Sequence, residues 1–325
     1  MTTKFIQIKD LYLLAVIMLI KVVSLFSSPR PKDFFATLMA HAAYHISRGK
    51  RRLAEKNVSD VFGHNLSEHR RREVVKGNFY EFWKEVFSLS VNNVDKAAFR
   101  GAEIRGLEHL QAALSKGNGV ILWESSSFGR RNLAKQILHE NGVSIDQVHT
   151  EHHIGGFSGG RNSPTWVRRH IIKSLFEKYE KEFVREIIYL PDSDSLVFTR
   201  LLMDRLKQNG IVCITADVAY GQKVIPLKFL GHTKLFATGM VSLASISDAP
   251  ILPMFCMRWS SGCPNLIIEC PINIERNADR ESRLEKSIAE YVGLLESYAR
   301  KYPENYRAWH SLDYTTRTQL QQAHK

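Results

Sequence analysis

The apolar and polar positions divide the chain into a helical first third and an alternating remainder. Up to about residue 100 the apolar residues recur at helical spacing, and Pro29-Arg30-Pro31 ends the first helix, since proline cannot continue one. From Gly101 onward, short apolar runs alternate with longer helical segments. This alternation predicts an α/β protein, with a central sheet flanked by helices on both faces.

The first helix is unusually apolar. Leu11 to Ile20 is an uninterrupted apolar run, and it continues after Lys21 as far as Phe26. A full bilayer span needs about 20 apolar residues, so we expect a membrane-associated helix over 1–28 that is tilted or only partly inserted. The segment 24–29 is a poor signal-peptide cleavage site. The alternative is a buried amphipathic helix, which an apolar run without a polar stripe favours less.

The pattern indicates four segments: the helix over 1–28, a basic helical region over 29–100, an α/β domain over 101–315 and a polar tail over 316–325. In the α/β domain we predict buried strands over 119–123, 187–190, 211–215, 251–255 and 266–269. Ligands of such sheets collect beyond the carboxyl ends of the strands. The segments that follow Trp123 and Thr215 are therefore the expected site.

The chain of 325 residues is basic, with a net charge of +12 and a pI of about 9.5. Such a balance favours a polyanionic partner, either nucleic acid or an anionic membrane surface. Two clusters of Lys and Arg, over 48–56 and 70–76, follow the apolar helix, so we favour the membrane surface. Nucleic-acid binding is the alternative, but no zinc-finger, helix-turn-helix or RNP signature supports it. The four cysteines lack zinc-site spacing, so we expect no metal.

Three segments carry recognisable motifs. The first is 119–133, GVILWESSSFGRRNL; the second is 210–239, which includes the sequence ADVAYGQKVIPLKFLG; the third is 303–310, PENYRAWH. Together they resemble the lipid A biosynthesis acyltransferases, the lauroyl and myristoyl transferases of the lysophospholipid acyltransferase superfamily. The resemblance extends over most of the chain and implies a glycerolipid acyltransferase-like fold with a mixed sheet.

The resemblance also implies a reaction. In this family an acyl chain passes from acyl carrier protein, or sometimes coenzyme A, to a lipid hydroxyl at the cytoplasmic face of the bacterial inner membrane. The chemistry needs a general base for the hydroxyl proton and donors for the oxyanion of the tetrahedral intermediate. The implied partners are therefore an acyl donor and a glycolipid or lysophospholipid acceptor, and no cofactor is expected.

The chain departs from the family at its catalytic dyad, a His followed after four residues by Asp or Glu. Aligning Phe128-Gly129 with the Phe-Gly of the family places Ser127 at the His position and Asn132 at the acid position. Serine is not a general base near neutral pH, and asparagine carries no charge. Two hypotheses follow: a weakened or diverged acyltransferase, and a non-catalytic relative that binds lipid or regulates a partner.

Other residues of the motifs are candidates for the site. Glu124 ends the first strand, and a serine nucleophile from 125–127 with His149, His152 or His153 as its base is a relocated alternative. Asp217 occupies a position where the family usually has Asp, and would position the acceptor or hold the following turn. We predict an anion-binding role for four arginines near the motif: Arg130, Arg131, Arg161 and Arg168.

Overall fold

The computed structural model describes residues 6–26, 30–88, 96, 99–100, 102–150, 165–190, 195–218, 223–258 and 264–312. The described part of the first third is helical, as predicted. Its helices are α1 (Ile8–Ser24), α2 (Arg30–Ile46), α3 (Arg48–Phe62) and α4 (Glu68–Phe87). A 3₁₀ turn, Gly63–Asn65, follows α3. Ser67 begins α4 as its N-cap, because its side chain accepts the Arg70 N–H at 3.2 Å.

Helix α1 has one buried and one exposed apolar face. Its inner face packs against α2 and α4 through buried residues at helical spacing: Leu13, Val16, Ile17, Ile20 and Val23. No helix within the described ranges combines the length and the apolar character that a bilayer crossing requires. The outer face remains apolar and exposed, so the membrane association predicted from the sequence remains a prediction.

The remainder of the chain forms the expected α/β layer, with a mixed sheet of seven strands. In spatial order they are β1 (Glu103–Arg105), β9 (Pro264–Ile268), β8 (Ile251–Arg258), β2 (Val120–Glu124), β5 (Ile211–Thr215), β3 (Asp146–Thr150) and β4 (Glu186–Leu190). All neighbouring strands are parallel except β8 and β9, which run antiparallel. A separate antiparallel hairpin joins β6 (Val224–Phe229) to β7 (His232–Ala237).

Helices lie between these strands along the chain, and one more follows the last strand. They are α5 (Leu107–Leu114), α6 (Arg131–Glu140), α7 (Lys173–Glu180), which a π turn (Arg168–Ile172) precedes, α8 (Ser195–Lys207), α9 (Gly239–Ser247) and α10 (Arg280–Lys301). The parallel strands β2, β5 and β3 end at one edge of the sheet, which is the expected location of a site.

Strand β2 lies in the middle of the sheet and is buried along its whole length. Ile121 and Trp123 belong to the apolar core on one face, whereas Val120 and Leu122 belong to the core on the other. Burial on both faces explains why the predicted strands are continuous apolar runs. Strand β3 was not predicted because Val148 is its single apolar residue, whereas Asp146, Gln147 and His149 are polar although they are buried.

Candidate active site

The first motif forms a tight turn between β2 and α6, which we call the serine turn (residues 125–130). The Ser125 hydroxyl organises it, because Oγ accepts the N–H groups of Ser127 at 3.1 Å and Phe128 at 2.9 Å. Gly129 has φ of +71°, and a Cβ there would lie 2.5 Å from the Cys256 carbonyl oxygen. Only glycine fits this position, so the backbone conformation of the turn requires the Gly of the Phe-Gly motif.

Asp217, just beyond β5, stabilises the serine turn through hydrogen bonds. Its buried carboxylate accepts the Ser125 hydroxyl at 2.8 Å and the Ser126 N–H, and Lys234 Nζ from β7 lies 3.8 Å away. Burial acts to raise the pKa of Asp217, but the Lys234 charge and the two serine hydrogen bonds outweigh it and lower that pKa below its ordinary value. The carboxylate is therefore ionised and is used as an anchor.

The C-terminal motif closes over the same turn. Phe128 forms an antiparallel bridge with Tyr306, and the Gly129 N–H donates to the Asn305 carbonyl at 3.0 Å. The Arg307 N–H donates to the Ser127 carbonyl at 2.6 Å, and Arg307 Nη2 donates to the Ser126 carbonyl at 3.1 Å. The three motif segments, distant in sequence, are thus in direct contact.

Ser127 lies in the serine turn and Asn132 in the first turn of α6, and both are partly exposed. The Ser127 hydroxyl is 3.2 Å from that of Ser126, and the Asn132 backbone N–H donates to Glu85 Oε1 of α4 at 2.9 Å. Neither Ser127 nor Asn132, the predicted dyad positions, supplies a side chain that titrates near neutral pH. The carboxylate of Glu85, from α4, is nevertheless bound to the backbone of Asn132, the predicted acid position.

The two arginines of the motif are engaged in internal ion pairs. Arg130 is buried and makes a bidentate pair with Glu81 of α4, at 2.6 and 2.8 Å. Arg131 Nη1 donates to Glu124 Oε1 at 3.3 Å and to the Thr215 hydroxyl at 3.0 Å. These pairs use guanidinium edges that an external anion would otherwise contact.

Glu124 belongs to a buried polar layer at the carboxyl ends of the strands. Its Oε1 also accepts Gln147 Nε2 at 3.1 Å. Further along this layer, His149 Nε2 lies 2.6 Å from Glu180 Oε2, and Lys135 of α6 pairs with the same carboxylate. Burial lowers the pKa of His149 more than Glu180 raises it. His149 thus lies within β3, and its imidazole is paired with the Glu180 carboxylate.

The other predicted arginines lie elsewhere. Arg168 pairs with Asp10 at the start of α1, with Nη2 and Oδ1 3.0 Å apart, and so fixes α1 to the π turn. Arg161, His152 and His153 lie outside the described residues. Their predicted roles remain predictions.

Four residues around the serine turn were not singled out from the sequence: Glu81, Glu85, Lys234 and Arg307. Glu81 and Glu85 are four residues apart on α4, on the opposite side of the helix from its apolar stripe (Phe79, Phe82, Trp83, Val86 and Phe87). The sequence therefore gave no signal for these two carboxylates, because only the packing of α4 against the serine turn and α6 buries this side of the helix.

The comparisons with known proteins identify the family. A family model described as bacterial lipid A biosynthesis acyltransferase matches residues 3–152 and 163–312, which is most of the chain. The chain belongs to this family. It is also 28% identical over 189 residues to phosphatidylinositol mannoside acyltransferases of two Mycobacterium tuberculosis strains, CDC 1551 / Oshkosh and ATCC 25618 / H37Rv. These alignments cover 57% of this chain and 53% of each relative, so the chain spans about half the length of the curated relatives it matches.

Proposed function

We propose that this family member transfers a fatty acyl chain from acyl carrier protein or coenzyme A to a hydroxyl of a glycolipid or lysophospholipid. The observation that carries the proposal is the assembly of the three family motifs around one serine turn at the carboxyl end of β2. Both donors present the same thioester on a phosphopantetheine arm, so the chemistry at the turn is the same for either.

The second candidate function is a non-catalytic relative that binds an acyl donor or a lipid without turnover. The replacement of the dyad by Ser127 and Asn132 favours it, since loss of a general base lowers a rate by about 10²–10⁴-fold. The two candidates share a binding site and differ only in chemistry.

Acyl transfer by the unaltered protein distinguishes them. Radiolabelled acyl-carrier protein and acyl-coenzyme A are offered with a panel of lysophospholipid and lipid A-precursor acceptors, and the lipid products are separated. We expect slow, enzyme-dependent acylation of at least one acceptor. Saturable binding of a donor without any product would establish the non-catalytic function instead, and failure to bind any donor or acceptor would refute both.

We further propose that the protein works at the cytoplasmic face of the bacterial inner membrane, docked through the outer face of α1 and α2. This face carries large exposed apolar side chains: Ile8, Leu11, Tyr12, Met18, Val22, Leu25, Phe34, Leu38 and Ile46. Lys21 and Arg30 are exposed beside them. An apolar face bordered by cations is typical of helices that lie in the interface of an anionic membrane.

Cosedimentation with anionic vesicles tests the docking face. Leu11, Met18 and Leu25 are spaced by seven residues and are 56%, 58% and 82% exposed, so changing them to Ser leaves the core intact. Because each large apolar side chain contributes about 1.5–3 kcal/mol when fully buried, we expect the triple variant to lose at least about tenfold in vesicle affinity. Ile246→Ser on α9, which is 70% exposed, is the matched control and should bind normally. Equal binding by both variants would refute the docking face.

A further inference from the structure

Glu85 is an acidic residue with one oxygen committed and one unused. It is 3% exposed, and its Oε1 accepts the backbone N–H of Asn132, the residue at the acid position of the family dyad. Its Oε2 is shielded from solvent and has no hydrogen-bond partner in the described part of the chain. A buried carboxylate oxygen without a donor is costly, so this oxygen indicates a place for a hydroxyl group.

Arg307 contacts Ser127, the predicted base position, as Glu85 contacts Asn132, the predicted acid position. Its N–H and Nη2 bind the carbonyls of Ser127 and Ser126, but its Nε is buried without a partner and its guanidinium makes no carboxylate ion pair within the described ranges. Burial lowers the pKa of Arg307, and among the opposing attractions that of Glu85 is the largest. The two groups attract each other but remain apart.

The neighbouring charges are already in ion pairs, although Glu124 Oε2 and Arg131 Nε also have no hydrogen-bond partner among the described residues. Glu81 is neutralised by Arg130, Glu124 lies 3.3 Å from Arg131, and Asp217 lies 3.8 Å from Lys234. Glu85 and Arg307 carry opposite charges and make no ion pair within the described ranges. Glu85 accepts the backbone N–H of Asn132, and the backbone N–H of Arg307 donates to the Ser127 carbonyl. A substrate hydroxyl and carbonyl placed between them would satisfy both unused atoms.

We propose that Glu85 and Arg307 replace the missing dyad, with Glu85 as the general base and Arg307 as the donor to the oxyanion. This inference rests on the proposed acyl transfer. The acceptor hydroxyl oxygen attacks the thioester carbon while its proton passes to Glu85 Oε2, and Arg307 stabilises the negative charge that develops on the carbonyl oxygen. The C–S bond then breaks, the thiolate takes the proton from Glu85, and an ester and a free thiol are the products.

The test measures thiol release from palmitoyl-coenzyme A, with water or a lipid hydroxyl as acceptor, together with the melting temperature. We expect Glu85→Gln to lower kcat by about 10²–10⁴-fold, with KM for the thioester unchanged. Arg307→Lys should lower kcat by about 10²–10³-fold, as the loss of an oxyanion donor does. Glu85→Asp should retain part of the rate, because it keeps the carboxylate.

Asp146→Asn is the matched control, since Asp146 is a fully buried carboxylate at the opposite end of β3, paired with Arg185. It should lower the melting temperature and leave kcat unchanged. Equal kcat in Glu85→Gln and the unaltered protein would overturn the inference, as would a loss that Asp146→Asn reproduces. Binding of palmitoyl-coenzyme A without thiol release would also overturn it, whereas failure to bind any acyl thioester would overturn the proposed function itself.

Discussion

Replacing Ser127 by His is expected to raise the rate of acyl transfer above that of the unaltered protein, by less than the roughly 10²–10⁴-fold that a positioned general base contributes where none is present, because Glu85 already acts as a base. Imidazole titrates close to neutral pH and is therefore a better base there than a carboxylate. The new side chain would start from the position that the Arg307 N–H fixes through the Ser127 carbonyl. The measurement is kcat for labelled acyl transfer, compared between the variant and the unaltered protein.

The carboxylate of Glu85, which already lies at residue 132, gives a second prediction for a double variant. We expect Ser127→His, Asn132→Glu to gain no more than Ser127→His alone, because Glu85 already binds the Asn132 N–H and a second carboxylate would repel it. Ser126→His, one residue away and similarly exposed, is the control and should gain nothing. Activity in the double variant without activity in the single one would mean that the acid must stand at residue 132.

Replacing Asp217 by Ala is expected to remove about 3–5 kcal/mol from the free energy of unfolding, the usual effect of removing one member of a buried ion pair. Lys234, which is 4% exposed, would be left as a buried charge without its carboxylate. The Ser125 hydroxyl and the Ser126 N–H would lose their acceptor as well. Urea denaturation followed by tryptophan fluorescence measures the change.

Asp60→Ala is the control, because Asp60 forms an exposed i,i+4 pair with Lys56 and should contribute less than about 1 kcal/mol. The pH dependence gives a second test. Since the pKa of Asp217 is lowered on folding, its contribution is present above the ordinary value of 3.8 and is lost as the pH falls through the lower folded pKa. Asp217→Asn should therefore remove part of the acid-induced loss of stability below about pH 4, and an unchanged acid profile would contradict the ionised anchor.

The strands in the centre of the sheet could be predicted from the sequence because burial on both faces leaves a direct signature. The predicted strand over 211–215 coincides with β5, and that over 119–123 is shifted by one residue from β2. Strands with a different environment gave no such signature. β3 carries buried polar residues, and β6 has alternating partial exposure in a separate hairpin, so neither formed an apolar run.

By itself, the sequence determined the α/β class, the helical first third and the family motifs, because these depend on local periodicity and residue identity; the loss of both dyad residues remains its prediction. The tertiary structure alone decided how the charges are paired. It placed Arg130 and Arg131 in ion pairs with Glu81 and Glu124, and it brought Glu85 to the N–H of Asn132. Arg130 and Glu81 are 49 residues apart in the chain, so their pairing depends on how helices and strands pack and not on the local sequence.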